Sequence, residues 1–207
     1  MSGAAKIDTL VFDVGKVLID YRFDEMLTEM GYPPPVVQAL LDVHIETKPY
    51  FIDLDRGTIT MEESAAAFAR DAAPYGEEAA RALKTGYRHI RPIPENIEFL
   101  RRAGAAGYRT LVLSNFDRTY WAHTRDTLGL GALFEGGVVS SEVGTVKPEP
   151  EIYRILIEDW QVAPKRALFI DDRAENTRVA RELGMHTITL REGMDLAAEA
   201  AKWGVSV

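Results

Sequence analysis

Four polar groups in this chain each close an apolar stretch: Asp13, Ser114-Asn115, Lys147 and Asp171-Asp172. Between them they offer a carboxylate able to attack, a hydroxyl, a cation and two adjacent acids. Phosphoryl transfer needs such a set, because its catalysis is mainly positioning and the offset of negative charge, and a carboxylate can accept the phosphoryl group. Each residue also has a plainer use. An Asp after a strand often closes a turn, Asp171-Asp172 could cap a helix starting near Ala174, Ser114 could be a cap, and a single Lys usually sits in water. The joint pattern favours chemistry. Neighbouring carboxylates repel unless a cation neutralises them, and magnesium takes oxygen ligands while keeping several waters. Asp13, the Gly15 carbonyl and Asp172 would suffice as its protein ligands. Asp171 would then orient Lys147 or a water, and Asn176, one helical turn from Asp172, would face the same water shell. Ser114 and the Asn115 N–H would hold a phosphate oxygen, with Lys147 as the point charge.

Residues so far apart converge if each ends a strand of one parallel sheet, since ligands of open α/β sheets bind beyond the carboxyl ends of the strands. Short apolar runs at Thr9–Phe12, Thr110–Leu113, Ala167–Ile170 and Thr187–Leu190, with a weaker one at Val138-Val139, predict those strands. Helical patterning fills the intervals at Glu95–Ala106, Thr119–Leu128, Glu149–Asp159, Ala174–Leu183 and Leu196–Trp203, and Gly107, Gly129 and Gly184 stand where helices would stop. The expected class is α/β: a Rossmann-like three-layer sandwich with a mostly parallel sheet. Residues 20–91 interrupt the alternation, with helical patterns near Asp24–Met30, from Val36, after the Thr60-Met61-Glu62-Glu63 capping box, and from Glu77 to His89. Asp55-Arg56-Gly57 reads as a turn. The chain thus divides into a core of residues 1–19 and 92–207 and an inserted helical cap of residues 20–91.

Composition narrows the functions. The 207 residues are 46% hydrophobic and carry 24 Lys plus Arg against 32 Asp plus Glu, a formal charge of −8. Nucleic acid is not expected as a partner, whereas a local cation and a metal can still draw an anionic metabolite into a cleft. There is no cysteine, which removes disulfides, thiolate nucleophiles and Cys-ligated zinc. His44, His89, His123 and His186 lack metal-ligand spacing. The P-loop, dinucleotide-binding and Gly-x-Ser-x-Gly patterns are missing too. Neither a leader pattern at Met1–Lys6 nor a run of membrane-spanning length stands out, so the cytoplasm is the expected compartment and no membrane partner is expected.

Taken together, the four groups resemble the haloacid dehalogenase-like hydrolase superfamily, with Asp13, Ser114, Lys147 and Asp171-Asp172 in its motifs one to four. The insertion between motifs one and two corresponds to a C1 cap. Phe12-Asp13-Val14-Gly15-Lys16-Val17, Asp55-Arg56-Gly57-Thr58-Ile59-Thr60, Leu113-Ser114-Asn115 and Ile170-Asp171-Asp172-Arg173-Ala174-Glu175-Asn176 are similar to the sugar-phosphatase branch that includes α-D-glucose-1-phosphate phosphatase and the phosphatase domain of soluble epoxide hydrolase. The resemblance implies magnesium-dependent hydrolysis of a small phosphate monoester, such as a sugar phosphate, through phosphorylated Asp13. Two positions depart from the family pattern. Gly15 stands where most phosphatases of this kind carry an Asp as general acid, although the glucose-1-phosphate group shares Gly there. Lys16 replaces the more usual Gly or Asn, either pointing to solvent or, if buried, adding a cation near the phosphate or supplying a proton. These departures leave room for a catalytically weak phosphometabolite-binding protein, and Gly15 also for a metal-free 2-haloacid dehalogenase. Against the latter, Asp171-Asp172 without magnesium would repel a carboxylate substrate. Neither the substrate nor the oligomeric state follows from the sequence.

Overall fold

A computed structural model describes residues 6–207; the first five residues of the expected core lie outside the described residues. Five parallel strands form the central sheet: β1 (Thr9–Phe12), β4 (Arg109–Ser114), β5 (Gly136–Val139), β6 (Ala167–Asp171) and β7 (His186–Thr189), in spatial order β5-β4-β1-β6-β7. Parallel strands covered on both faces read as continuous apolar runs, and β1 and β6 are buried along their whole length. Alternate side chains serve opposite layers. Leu10 and Phe12 pack with Phe99, Leu100 and Ile188 on one face, while Val11 packs with Leu111, Tyr153 and Phe169 on the other.

Register fixes the site. β1 lies between β4 and β6, with Phe12 paired to both Val112 and Ile170. One residue further along, Asp13 is level with Leu113 and Asp171, and Ser114 is one step beyond. Neighbouring strands run about 4.8 Å apart, so these polar side chains meet at the carboxyl edge. The Asp13 N–H donates to the Ile170 carbonyl at 2.8 Å, which continues the pairing to Asp13 itself.

The strands are connected through α6 (Pro94–Ala105), α7 (Arg118–Ala122), α8 (Ser140–Val143), α9 (Pro150–Asp159) and α10 (Ala174–Glu182), and α11 (Leu196–Ala201) follows the last strand. They follow the sequence reading closely, with two corrections. The helix expected over Thr119–Leu128 is α-helical only as far as Ala122 and continues as a wider π-wound segment over His123–Thr127. The helix expected from Glu149 begins at Pro150, downstream of a cis Lys147-Pro148 peptide. Pro150 fits the first helical turn, where its missing N–H leaves no bond unmade.

Between β2 (Ile19–Asp20) and β3 (Arg91–Pro92), a two-residue antiparallel pair, lie α1 (Phe23–Glu29), α2 (Pro34–Leu41), α3 (Pro49–Arg56), α4 (Met61–Asp71) and α5 (Gly76–Thr85). They bury a cluster of their own around Leu27, Leu40, Leu54 and Phe68. The capping box at α4 is formed: the Glu63 N–H donates to Thr60 Oγ1 at 3.2 Å, and the Thr60 N–H donates to Glu63 Oε2 at 2.8 Å. Asp55-Arg56-Gly57 corrects the sequence reading, because Asp55 and Arg56 complete the last turn of α3 rather than form a separate turn. Gly57 ends it in the left-handed region at φ 78°, with the Gly57 N–H on the Leu54 carbonyl and the Thr58 N–H on the Asp53 carbonyl. A Cβ on Gly57 would lie 2.6 Å from the Ser141 carbonyl oxygen, so the end of α3 presses directly on the loop after β5. Gly57→Ala should therefore cost more than about 1 kcal/mol, since left-handed backbone alone costs that much for a residue with a Cβ. The check is the urea midpoint at constant m-value; an unchanged midpoint would mean that α3 does not rest on Ser141.

Candidate active site

Lys147 lies at the centre of the convergence. Its side chain is 1% exposed, and its ammonium lies 2.8 Å from Asp13 Oδ1 and 2.7 Å from Asp171 Oδ2. Ser114 donates its hydroxyl to the same Asp13 oxygen at 2.7 Å. Asp13, Asp171 and Asp172 each offer a carboxylate oxygen, all within 4.8 Å of one another. All four polar groups singled out in the sequence thus meet at one point.

Their charges do not balance. Three carboxylates surround one ammonium. Burial, aided by repulsion from Asp171, pushes Asp13 up to about 6 despite attraction from Lys147 and the Ser114 hydrogen bond. Burial and then Asp171 raise Asp172 as well, against Lys147 and Lys16. Burial pulls Lys147 down, but Asp13 and Asp171 outweigh it and lift the ammonium above its ordinary value. Burial apart, the shifts share a cause: three carboxylates surround a single ammonium. A hard divalent cation would remove the excess through oxygen ligands. Asn176 agrees with that fit. Its Nδ2 donates to both oxygens of Asp171 at 3.0 Å, leaving its buried Oδ1 without a partner among the described residues, suited to accept from a metal-bound water.

Other expectations gain detail. Asn115 was expected to act through its N–H; its side chain also brackets Lys147, with Nδ2 donating to the Lys147 carbonyl at 2.9 Å and Oδ1 accepting from the Lys147 N–H at 2.7 Å. No local pattern signals this, because the partner is 32 residues on. Asp171 does not cap α10, whose N-cap is Arg173, but it accepts from the Arg173 N–H at 2.8 Å just before the helix. The Gly15 backbone follows Asp13 directly, and a Cβ there would meet nothing within 4 Å. Lys16 is exposed, adopts φ 55° and, with Asp172, Tyr21 and Glu46, lines an open cleft of about 1340 Å³ between α1 and the loop after β7.

Three residues escaped the sequence reading. Ser140 accepts from the Phe116 N–H at 2.9 Å and donates to the Asp55 carbonyl at 2.5 Å. Glu149 receives both guanidinium nitrogens of Arg56, at 2.8 and 2.7 Å, and the Thr145 hydroxyl at 2.7 Å; the Arg56 fork is the main reason its carboxyl falls to about 2. Asp117 caps α7 by accepting from the Thr119 and Tyr120 N–H groups, and burial pushes it up to about 6. Asp117 did carry a signal, as an Asp directly before a helical pattern.

A family model for hydrolases, described as haloacid dehalogenase-like hydrolase, matches residues 7–184. The chain belongs to the haloacid dehalogenase-like hydrolases. Among the family's named proteins, flavin mononucleotide hydrolase 1 of Arabidopsis thaliana is 25% identical over 209 residues, covering 100% of this chain and 82% of that protein. The D-ribitol-5-phosphate phosphatase of Bacteroides thetaiotaomicron is 38% identical over 61 residues, 30% of each. A wild-type family enzyme from Bacteroides thetaiotaomicron, solved in complex with magnesium and inorganic phosphate, superposes with a TM-score of 0.71 at 25% identity, covering 93% of this chain and 98% of that one. This family member is thus a hydrolase with phosphatases among its named relatives, and none of its described helices is long and apolar enough to cross a membrane.

Two outcomes follow for the metal-free protein. Asp13, Asp117 and Asp55, the last raised to about 8, all hold their protons more tightly folded than unfolded. Stability should therefore fall as pH rises from about 4 to about 8, and Asp13→Asn should flatten the part between about 4 and 6 in denaturation measured at stepped pH. At neutral pH, magnesium should raise the melting temperature, adding about 2.7 kcal/mol at roughly 100 times Kd. Asp172→Asn should lose most of that gain. An unshifted wild-type transition would show that the acidic cluster holds no cation.

Proposed function

We propose that this hydrolase is a magnesium-dependent phosphatase acting on a small phosphate monoester, with a sugar phosphate as the favoured class, through an aspartyl-phosphate on Asp13. The observation that carries this reading is the buried Lys147 ammonium shared by Asp13 and Asp171 with Asp172 alongside. That arrangement has an attacking carboxylate, a cation for the phosphate and an excess of acid for a metal. The named relatives and the magnesium–phosphate complex of a family enzyme support it.

In this mechanism an Asp13 carboxylate oxygen attacks phosphorus and the ester oxygen leaves in line. Lys147 sits where negative charge spreads over the transferring group, and Ser114 and the Asn115 N–H orient its oxygens. Asp13, the Gly15 carbonyl and Asp172 would hold magnesium, which when bound neutralises the phosphate oxygens and the carboxylates around them. Asp171 and Asn176 keep Lys147 and the ligand waters in place. Helices α1 to α5 serve as a C1-type cap that keeps bulk water from the acyl phosphate and selects the alcohol. Lys16, at the mouth of the cleft beside Asp172, draws the anionic substrate inward. Water then attacks phosphorus, releasing phosphate and restoring Asp13. Metal-free dehalogenation has no use for the third carboxylate, which would repel a haloacid.

The test is phosphate release from p-nitrophenyl phosphate. Wild type should turn over with magnesium and stop with a chelator, while Asp13→Asn should lose activity by at least about 10³-fold, as removal of a nucleophile does. Turnover that survives both the chelator and Asp13→Asn would refute the reading.

A further inference from the structure

Position 15 carries no side chain, yet a simple alkyl phosphate requires that its leaving oxygen be protonated. The described structure offers few acids near Asp13. His44 is 72% exposed, His89 is tied to Glu29, His186 stacks on Trp203, and Lys16 faces the open cleft. Burial drives Tyr21 and Tyr120 far above the range of a useful acid. Asp117 is committed as the α7 cap through two N–H groups.

Asp55 remains, and its surroundings are built around it. The preceding turns of α3 bring it from the cap, and both its neighbourhoods are fastened to the site. The Asp55 carbonyl accepts from Ser140, whose oxygen in turn accepts from the Phe116 N–H, two residues past Ser114. Arg56 grips Glu149, two residues past Lys147, with a two-pronged pair, and Gly57 leaves no space for a Cβ against Ser141. The end of α3 is therefore anchored between the loop that carries the phosphate-binding hydroxyl and the loop that carries the catalytic cation. The Asp55 backbone is thus held at Ser140, one hydrogen bond from the segment that follows Ser114-Asn115, and its carboxyl feels the charges of Asp117, Asp13 and Lys147.

We propose that Asp55 is the general acid and base of this enzyme, a cap carboxyl doing from α3 what a side chain at position 15 would have done. The inference rests on the phosphatase reading. As the P–O ester bond breaks and the Asp13–P bond forms, the Asp55 proton passes to the leaving oxygen and the alcohol departs. In the second step a water oxygen attacks the phosphorus of phospho-Asp13, its proton passes to the Asp55 carboxylate, and inorganic phosphate leaves with Asp13 restored. Burial and then Asp117 keep the Asp55 carboxyl protonated up to about 8, with the negative end of α3 acting in the same sense, while the Asp117 N–H and Lys147 pull the other way.

The decisive experiment compares kcat/KM for p-nitrophenyl phosphate and for simple alkyl and sugar phosphates in wild type and Asp55→Asn. Since kcat/KM reports the first phosphoryl transfer, loss of the acid should lower it by roughly 10²- to 10⁴-fold for alkyl esters and by less than about tenfold for the aryl ester. With the aryl ester, Asp55→Asn should also release a burst of p-nitrophenol equal to enzyme, because the second step has lost its base. A Cβ at position 15 meets nothing within 4 Å, and Gly15→Asp combined with Asp55→Asn should restore much of the alkyl-ester rate. Equal losses for both ester classes, or no rescue by Gly15→Asp, would overturn the assignment; Asp55→Ala gives the same readout if the amide variant does not fold. A wild type that cleaves neither ester would defeat the phosphatase reading itself, whereas a wild type that cleaves both, with a flat Asp55→Asn response, would defeat only this inference.

Discussion

An ammonium buried between two carboxylates, with a third close by, is the interaction around which the rest of the structure is arranged. A lone Lys would not stay charged at 1% exposure, and Asp171, with none of its side chain exposed, would lose the ammonium that offsets its charge. Removing either partner would strand a buried charge at a cost of roughly 3–5 kcal/mol. The pairing is nevertheless incomplete, because one positive charge faces three negative ones. That deficit makes the protein poor at folding around this cluster and well suited to receiving a cation and a phosphate. Stability is given up where function needs charge, as in many strained or frustrated sites.

The sheet is what makes such a cluster possible. β1 is flanked by β4 and β6 in matched register, so three segments more than fifty residues apart place Asp13, Ser114 and Asp171 on one edge. Lys147 arrives differently. It is on a loop, and it is held from both sides by the Asn115 side chain and from below by Asp171. The same loop carries Glu149, the anchor for Arg56 of α3. The end of α3 and the lysine loop are consequently mechanically linked: a shift of α3 pulls on the segment that carries Lys147.

Much of this was legible in the chain. Buried parallel strands appear as apolar runs, and the residue ending each run is exposed to ligand by topology alone, so Asp13, Ser114 and Asp171-Asp172 could be found without coordinates. The Thr60 capping box and the stops at Gly107, Gly129 and Gly184 depend on local geometry, and all four appear as expected. What stayed hidden depends on contacts across long separations. Asp-Arg-Gly looks like a turn until Ser140, Ser141 and Glu149 are seen to receive the end of a helix there. Pro148 and Pro150 flank Glu149, and only the helix itself tells which of them starts it. Asn115 offered an N–H to a ligand in the linear reading, while its side-chain amide, matched to the Lys147 backbone, had no signature at all.

The central claim is that Asp13 takes up a phosphoryl group beside a divalent cation held jointly with Asp172. A crystal structure grown with magnesium and beryllofluoride, which mimics a phosphorylated carboxylate, tests it most directly. The account predicts the fluoride complex bonded to an Asp13 oxygen, Lys147 and Ser114 against its fluorines, and one cation bound by both Asp13 and Asp172. Beryllofluoride absent from Asp13, or a cation that leaves Asp172 untouched, would contradict it.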